Sequence, residues 1–393
     1  MKKYRTIVMG LAALVVTSGQ SAIAESRIDA TEKVIKEIKA KYAPDKRQII
    51  YNVTARQGVG TDVVIDGEIS EGWILDSLEH ELSSRGIKLT NSVYVYPDDK
   101  WALTRLSVTP MRSGKSHAAE MATQSIMGMP IRILSEENDW YLAQTPDGYI
   151  SWIPSSSVVI KSEAEMKSWR ESPRYVVTSP YQVRAYISPK ATGAREVVTD
   201  LVTGNIVRPT GNREKSGMVE IELPDGRRCW VEKSAVTPIE VWAAQDFNPD
   251  VILDQAYSME GTPYLWGGAS IKTLDCSGLA KVSYLANGII LMRDASQQAL
   301  TGTRIEAEDW RTCEPGDLLF FGNIKTGRVT HVAVYDHDGN YVHSSGRVRR
   351  NSVDPGSEIY ERSDFLHAVR IHGNEGTNGI TYARNHPWYF NQQ

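Results

Sequence analysis

Apolar side chains along the chain recur at two spacings, and the switches between them divide it into units. Val34, Ile35, Ile38 and Tyr42 share one helical stripe, which predicts a helix over 29–42 with Asp29 as its N-cap. After Pro44 the runs QIIYNV and TDVVIDG read as strands. A second helix is expected over 72–84 from Ile74, Leu75, Leu78 and Leu82, ending near Gly86. Residues 25–102 thus make a short α+β segment that carries no visible chemistry.

From about Leu103 to Pro238 short strand-like runs alternate with turn residues, the pattern of small β-barrels. The stretch Pro146-Asp147-Gly148-Tyr149-Ile150-Ser151-Trp152-Ile153 recurs as Pro224-Asp225-Gly226-Arg227-Arg228-Cys229-Trp230-Val231. Pro-Asp-Gly makes a tight turn between strands, and the following Trp is expected to anchor each small core. Two tandem β-modules, 103–160 and 175–238, fit the repeat, and they resemble the bacterial SH3-like modules of cell-wall proteins. Cys229 fills the slot of Ser151 and reads as a packing residue. A charged, helix-prone connector, 161–174, joins the modules. A second connector near Ala243–Pro249 leads into the last unit, 245–373, followed by an aromatic tail, 374–393, expected to dock on the body.

Composition narrows the class. Lys plus Arg is 44 and Asp plus Glu is 48, a net charge of −4 with no concentrated basic face, which excludes nucleic acid as the partner. At 41 % hydrophobic and 23 % charged, the chain is of ordinary globular composition. Its three cysteines exclude a disulfide framework. Lys2, Lys3 and Arg5 precede an apolar run from Ile7 to Val16 and the small residues ending at Ala24. This is the pattern of a cleavable secretory leader over 1–24; the run is too short to span a bilayer. The expectation is an exported protein, periplasmic or secreted, with no membrane contact after cleavage.

The last unit holds the reactive residues. From Cys276 onward Leu279, Val282, Leu285 and Ala286 recur at helical spacing, Asn287-Gly288 ends the pattern, and Asp275 stands where an N-cap belongs. Cys276 then lies in the first helical turn, where the partial positive charge of the helix start favours a thiolate. A buried structural Cys fits the same pattern; the flanking Gly267-Gly268 and Ser277-Gly278, which permit close backbone approach, favour the reactive reading. The run Val329–Ser345 reads as a hairpin. If His337-Asp338-Gly339 is a three-residue loop with Gly339 left-handed, Asp336 pairs with Asn340 and His343 lies opposite Ala333. His331 and His343 are then diagonal neighbours on one face, a base and an imidazole to orient it. Two such His could instead ligate a metal, but no HExxH or Cys-pair spacing accompanies them, and no cofactor is expected. Cys313, at a turn, reads as structural.

Asp275-Cys276-Ser277-Gly278, preceded by Pro263-Tyr264-Leu265-Trp266-Gly267-Gly268 and followed by Pro315-Gly316-Asp317-Leu318 and Thr330-His331-Val332-Ala333, resembles the NlpC/P60 cysteine peptidases. The resemblance implies an α+β, papain-like catalytic domain, here preceded by two SH3-like barrels and the short α+β segment. It implies Cys276 as nucleophile, His331 as base, His343 as the orienting third residue, and cell-wall peptide as substrate. The layout is similar to the γ-D-glutamyl-L-diamino acid endopeptidases of the YkfC type, which act on murein fragments beginning with a free L-Ala-γ-D-Glu. The oxyanion is then expected at the Cys276 backbone N–H and Tyr264. A free ammonium needs a carboxylate, for which Asp275 is nearest, and the resemblance adds Glu120 and Tyr149 of the first β-module. Ser277 and Ser296 match pocket-lining positions, and Trp266 either walls the pocket or is buried. The competing functions are an endopeptidase on intact peptidoglycan, a non-catalytic wall-binding protein, and acyl transfer to another amine. Whether the residue after D-Glu is diaminopimelate or Lys is not written in the sequence.

Overall fold

The structure, a computed structural model, describes residues 25–59, 62–361 and 364–391, so the expected leader lies outside the described residues. Among the described residues no helix is long and apolar enough to cross a membrane. The chain divides into two compact units, up to Asp98 and from Asp99 onward.

In the first unit, α1 (25–42) starts ahead of the expected cap. Asp29 is an exposed residue inside the helix, because the preceding turn is helical and the Thr31 hydroxyl donates back to the Arg27 carbonyl. β1 (Tyr51–Gln57) and β2 (Val63–Ile69) pair antiparallel. α2 (Gly72–Ser84) then crosses over to β3 (Leu89–Val95), which runs parallel to β2. Val34, Ile35 and Ile38 join Ile74, Leu75, Leu78 and Leu82 in one core with the inward residues of the sheet.

The second unit opens with β4 (Trp101–Thr104), β5 (Val108–Arg112), β6 (Met121–Ile126), β7 (Pro130–Glu137), β8 (Trp140–Gln144), β9 (Ile150–Pro154) and β10 (Val158–Lys161). They form one seven-stranded sheet, order β10-β4-β7-β8-β9-β5-β6, so the first module begins at Trp101 rather than Leu103. α3 (Glu163–Glu171) fills the connector behind a Ser162/Glu165 capping box. The second module is β11 (Tyr175–Val177), β12 (Val183–Tyr186), β13 (Val197–Leu201), β14 (Ile206–Lys215), β15 (Met218–Glu222), β16 (Arg228–Glu232) and β17 (Val236–Pro238). Trp152 and Trp230 do not anchor the cores as expected: both are only half-buried. Strand residues alternate sides, so Ile153 and Val231, with Cys229, point inward and the Trp between points away. Cys229 is buried, and burial pushes its thiol up to about 12.

Beyond the modules come α4 (Ile239–Ala243), α5 (Pro249–Ser258), the short β18 (Ala269–Ser270) and β19 (Thr273–Leu274), and α6 (Cys276–Ala286). There follow β20 (Ile289–Leu291), α7 (Ala295–Gln298), β21 (Thr303–Glu306), β22 (Leu318–Asn323), β23 (Arg328–Tyr335), β24 (Asn340–Ser345), β25 (Arg347–Ser352) and β26 (Phe365–Arg370). The last six strands form a sheet in the order β21-β26-β22-β23-β24-β25. Leu279 and Val282 of α6 share a core with Val332, Val334, Val342 and Val348, which fixes the helix across the sheet face. Each such aliphatic chain contributes roughly 1.5–3 kcal/mol on burial.

The tail is structural. β27 (Ile380–Tyr382) pairs antiparallel with β20, Leu291 opposite Ile380. Farther on, His386 Nε2 meets the Pro146 carbonyl at 2.8 Å, and the Tyr389 carbonyl accepts from the buried Arg174 at 2.8 Å. The Arg174 guanidinium lies 4.4 Å from the Trp169 ring and 5.3 Å from that of Phe390. The connector helix, both modules and the tail meet in one core that includes Trp101, Met166, Trp169, Val176, Trp242 and Tyr389. Tyr389→Ala is therefore expected to destabilise this unit by about 3–5 kcal/mol, read as a lower urea midpoint. An unchanged midpoint would mean that the tail peels away without consequence.

Candidate active site

Asp275 caps α6 as expected, its Oδ1 accepting the Gly278 N–H at 2.7 Å. Its environment is more closed than the sequence suggested. The carboxylate is buried, accepts the Gly267 N–H at 2.9 Å, and receives both ends of the Arg293 guanidinium at 3.1 and 2.5 Å. Expected to face a substrate ammonium, Asp275 instead spends its oxygens on helix cap, loop and counter-ion. The Ser277 hydroxyl, expected to line the pocket, is likewise buried, donating to Asp275 and accepting from Arg293. Burial alone would lower the Arg293 pKa, but the charge and hydrogen bonds of Asp275, together with Asp294 and Tyr149, more than offset it and keep the guanidinium charged.

Cys276 is buried at the start of α6, its thiol facing the backbone N–H groups of Ser277 and Val332. The expected thiolate is not the resting form. Burial, then the Asp275 charge, pushes the thiol up to about 11, against the downward pull of the two N–H groups and Arg293. In a dry site the missing hydration outweighs the helix start.

The hairpin has the three-residue loop. The Asp336 N–H donates to the Asn340 carbonyl, Gly339 is left-handed at φ +80, and Val334 stands opposite Val342. His331 Nε2 and His343 Nδ1 meet at 2.8 Å, their rings at 80°. His343 Nε2 lies 2.9 Å from Asn351 Oδ1 and 3.7 Å from Glu361. Burial, then the adjacent His343 and Arg349, lowers His331 to about 3; burial also lowers His343, with its Asn351 bond pulling the other way. Thiol and base therefore both rest neutral. Tyr264 is half-buried, and burial followed by the charges of Cys276 and Asp275 raises its phenol to about 12, so it remains a proton donor. A cleft of about 430 Å³ opens beside the imidazoles, lined by Phe321, Thr330, Tyr341, Ser345, Glu361 and Asp364.

The first module buttresses the nucleophile. Arg293 Nε donates to Thr123 at 2.9 Å, and Gln124 accepts the Ala269 N–H at 2.9 Å and donates to Thr273 at 2.9 Å. Gly267, at φ +79, lets its loop lie against β6: a Cβ there would overlap the Met121 carbonyl. Gly278 lets α6 start against the Gly268 carbonyl in the same way. Glu120, exposed, immediately precedes Met121, and the Tyr149 hydroxyl reaches Asp294, the cap of α7, at 3.3 Å. Ser296 is exposed on that helix, and Trp266 is not buried: it stands 61 % exposed on the loop before the nucleophile. Lys281 of α6 pairs with the buried Asp147 of the repeat's turn. Cys313 is buried, its thiol raised to about 12 by burial first. Among the described residues no three His, Cys, Asp or Glu side chains converge as a metal site.

Sequence reasoning missed Arg293, Thr123, Gln124 and Asn351. Arg293 sits in MRDASQQ, which has no periodic signal. Asn351 was within reach: a second tight turn at Ser345-Gly346 sets His343 opposite Arg349, and Asn351 lies two residues along on the same face.

A buried thiol at a helix start, beside a strand bearing two joined imidazoles, is the layout of a cysteine hydrolase. The NlpC/P60 family model matches residues 261–370, and that of the bacterial dipeptidyl-peptidase Sh3 domain matches 111–158. Over 272 residues the chain is 27 % identical to the gamma-D-glutamyl-L-lysine dipeptidyl-peptidase of Bacillus cereus, spanning 66 % of this chain and 78 % of that protein. It is 36 % identical over 121 residues to the probable endopeptidase NlpC of Escherichia coli, spanning 30 % of this chain and 75 % of the relative. A crystal structure of an NlpC/P60 family protein from Bacillus cereus shares the fold at a TM-score of 0.59 and 20 % identity, covering 69 % of this chain and 99 % of that one. The chain belongs to the NlpC/P60 family of cysteine peptidases and carries an SH3-like domain ahead of the peptidase.

Two outcomes are expected. Arg293→Met leaves the Asp275 carboxylate buried and uncompensated, which should cost roughly 3–5 kcal/mol in urea unfolding and abolish peptidase activity; Asp275→Asn added to it should recover part of the stability. The base is lost only as pH falls through about 3, and the neutral thiol only near 11. The rate of peptide hydrolysis should therefore stay flat on the acid side down to roughly pH 5. An acid limb centred at 6.5 would mean that His331 titrates like a solvated imidazole.

Proposed function

We propose that this protein is a cell-wall peptide hydrolase that cleaves the γ-D-Glu–L-diamino acid bond of murein fragments with a free N-terminal L-Ala, releasing L-Ala-D-Glu. Cys276 attacks the γ-carbonyl while its proton passes to the free ring nitrogen of His331, and Tyr264 with the Cys276 N–H receives the oxyanion. The C–N bond then breaks as His331 returns the proton to the departing amine. Water, deprotonated by His331, hydrolyses the acyl-enzyme.

The observation that carries the substrate is β6 of the first module lying against the loop that leads to the nucleophile. A wall there leaves little room for residues ahead of the scissile bond, which supports release of a dipeptide over cleavage within a longer strand. Glu120 immediately precedes that strand and the Tyr149 hydroxyl reaches Asp294, and we assign these two, rather than the saturated Asp275, to the substrate ammonium. We assign the exposed Ser296 and Trp266 to the rim of the same pocket, whereas the Ser277 hydroxyl serves the Asp275–Arg293 pair. The B. cereus relative, named for γ-D-glutamyl-L-lysine cleavage, supports the bond; diaminopimelate and Lys are both diamino acids of suitable shape. The leader-like 1–24 supports export to the periplasm or beyond, where such fragments arise.

Mass spectrometry of L-Ala-γ-D-Glu-meso-diaminopimelate, its L-Lys analogue and their N-acetylated twins tests the reading. L-Ala-D-Glu should appear from the free-amine peptides only, and Cys276→Ala should abolish it. Equal cleavage of the acetylated peptides would move the function to intact peptidoglycan, and no cleavage of any would leave wall binding.

A further inference from the structure

The geometry points to Asn351 as a positioning residue that sets the proton order of the two imidazoles and so keeps one nitrogen of His331 free for the Cys276 proton. The inference rests on the assignment of Cys276 and His331 as nucleophile and base, and not on the identity of the peptide.

The argument starts at the far end of the chain of bonds. Asn351 Nδ2 donates to the Ile359 carbonyl at 3.0 Å, an atom that only accepts. The side-chain amide is thereby oriented, and its Oδ1 is the atom 2.9 Å from His343 Nε2. A carboxamide oxygen only accepts as well, so His343 Nε2 carries the hydrogen and His343 Nδ1 the lone pair. That lone pair faces His331 Nε2 at 2.8 Å, which must then be the protonated nitrogen of the second ring. His331 Nδ1 is left bare, and it is the nitrogen free to take a proton. One backbone carbonyl thus fixes two tautomers in series, and each bond in the row has a single allowed direction.

The same order suits the protonated intermediate. When Nδ1 of His331 takes up the thiol proton, its Nε2–H already points at the His343 lone pair, and nothing has to turn. Glu361 does not do this work: it is 3.7 Å from His343 Nε2 and is held by Arg349 at 2.9 Å. Without an acceptor at 351, His343 is free to carry its hydrogen on Nδ1. His331 must then accept at Nε2 and bear its hydrogen on Nδ1, toward the thiol, where it cannot act as a base. Asn351 and His343 are both buried, so bulk water does not readily replace the lost acceptor.

The test compares the full chain with Asn351→Leu, which keeps the size and removes both bonds, and Asn351→Asp, which keeps the acceptor. Nitrogen-15 histidine spectra read the tautomers directly, with His331→Gln and His343→Gln for assignment. Both rings should be Nε2–H in the parent, and Asn351→Leu should show Nδ1–H at His343. Alkylation of Cys276 by iodoacetamide, followed by peptide mass against a Cys276→Ala control, should slow by about tenfold in Asn351→Leu. On a cleaved peptide kcat should fall by about ten- to a hundredfold with KM little changed, and Asn351→Asp should recover most of it. A parent with Nδ1–H at His331 overturns the inference without any variant. So does an Asn351→Leu protein with parental tautomers and parental alkylation rate, or an equal loss in the Leu and Asp variants. The spectra and the alkylation need no substrate, so failure of the proposed peptide specificity leaves them readable.

Discussion

The site depends on one buried ion pair, Arg293 with Asp275. Two charges are expensive to desolvate, and this pair is tolerable because nearly every hydrogen-bonding position on it is used. The carboxylate caps the nucleophile helix and holds the Gly267 amide, while the guanidinium takes Ser277 on one side and Thr123 of the first module on the other. The nucleophile feels both members: the carboxylate raises its pKa and the guanidinium lowers it. Removing either would shift the thiol as well as the fold. The pair therefore couples helix position, module docking and nucleophile electrostatics in a single contact.

The module beyond it belongs to the site. Gln124 and the Met121 carbonyl support the loop ahead of Cys276 from outside the peptidase sheet, and Lys281 of the nucleophile helix reaches back to the repeat's first turn. The corresponding turn of the second module keeps its Asp225 on Arg105 and Arg227, both within the β-modules. Two copies of one sequence pattern have thus diverged in what their turns hold: one grips the catalytic helix, the other only its neighbours.

Much of this was legible, for reasons that differ by element. The helix at Gly72–Ser84, the cap at Asp275 and the hairpin register at His331 and His343 follow from local rules that the structure obeys. Asp29 failed because a weak cap signal inside a helix-forming run does not stop the helix. Trp152 and Trp230 failed because size was read as depth, whereas strand alternation turns them away from the cores. The thiolate failed because the helix-start effect is local and can be read from sequence, while desolvation is tertiary and cannot. Arg293 was invisible for the same reason, since a polar residue becomes structural only when distant segments remove its water; Asn351 was legible in the β24–β25 hairpin register and was overlooked.

The pairing of β20 with β27 sets an order of events. Ile289–Leu291 lies two residues before Arg293, and its ladder partner is Ile380–Tyr382, almost a hundred positions later. Contacts of that span form late, after the local hairpins. A ribosome delivering this chain from its N-terminus completes the β-modules, the nucleophile helix and the imidazole hairpin before the strand that clamps β20 emerges. The segment that carries the guanidinium is secured last, so until that strand docks the Asp275 carboxylate beside the thiol waits for its counter-ion.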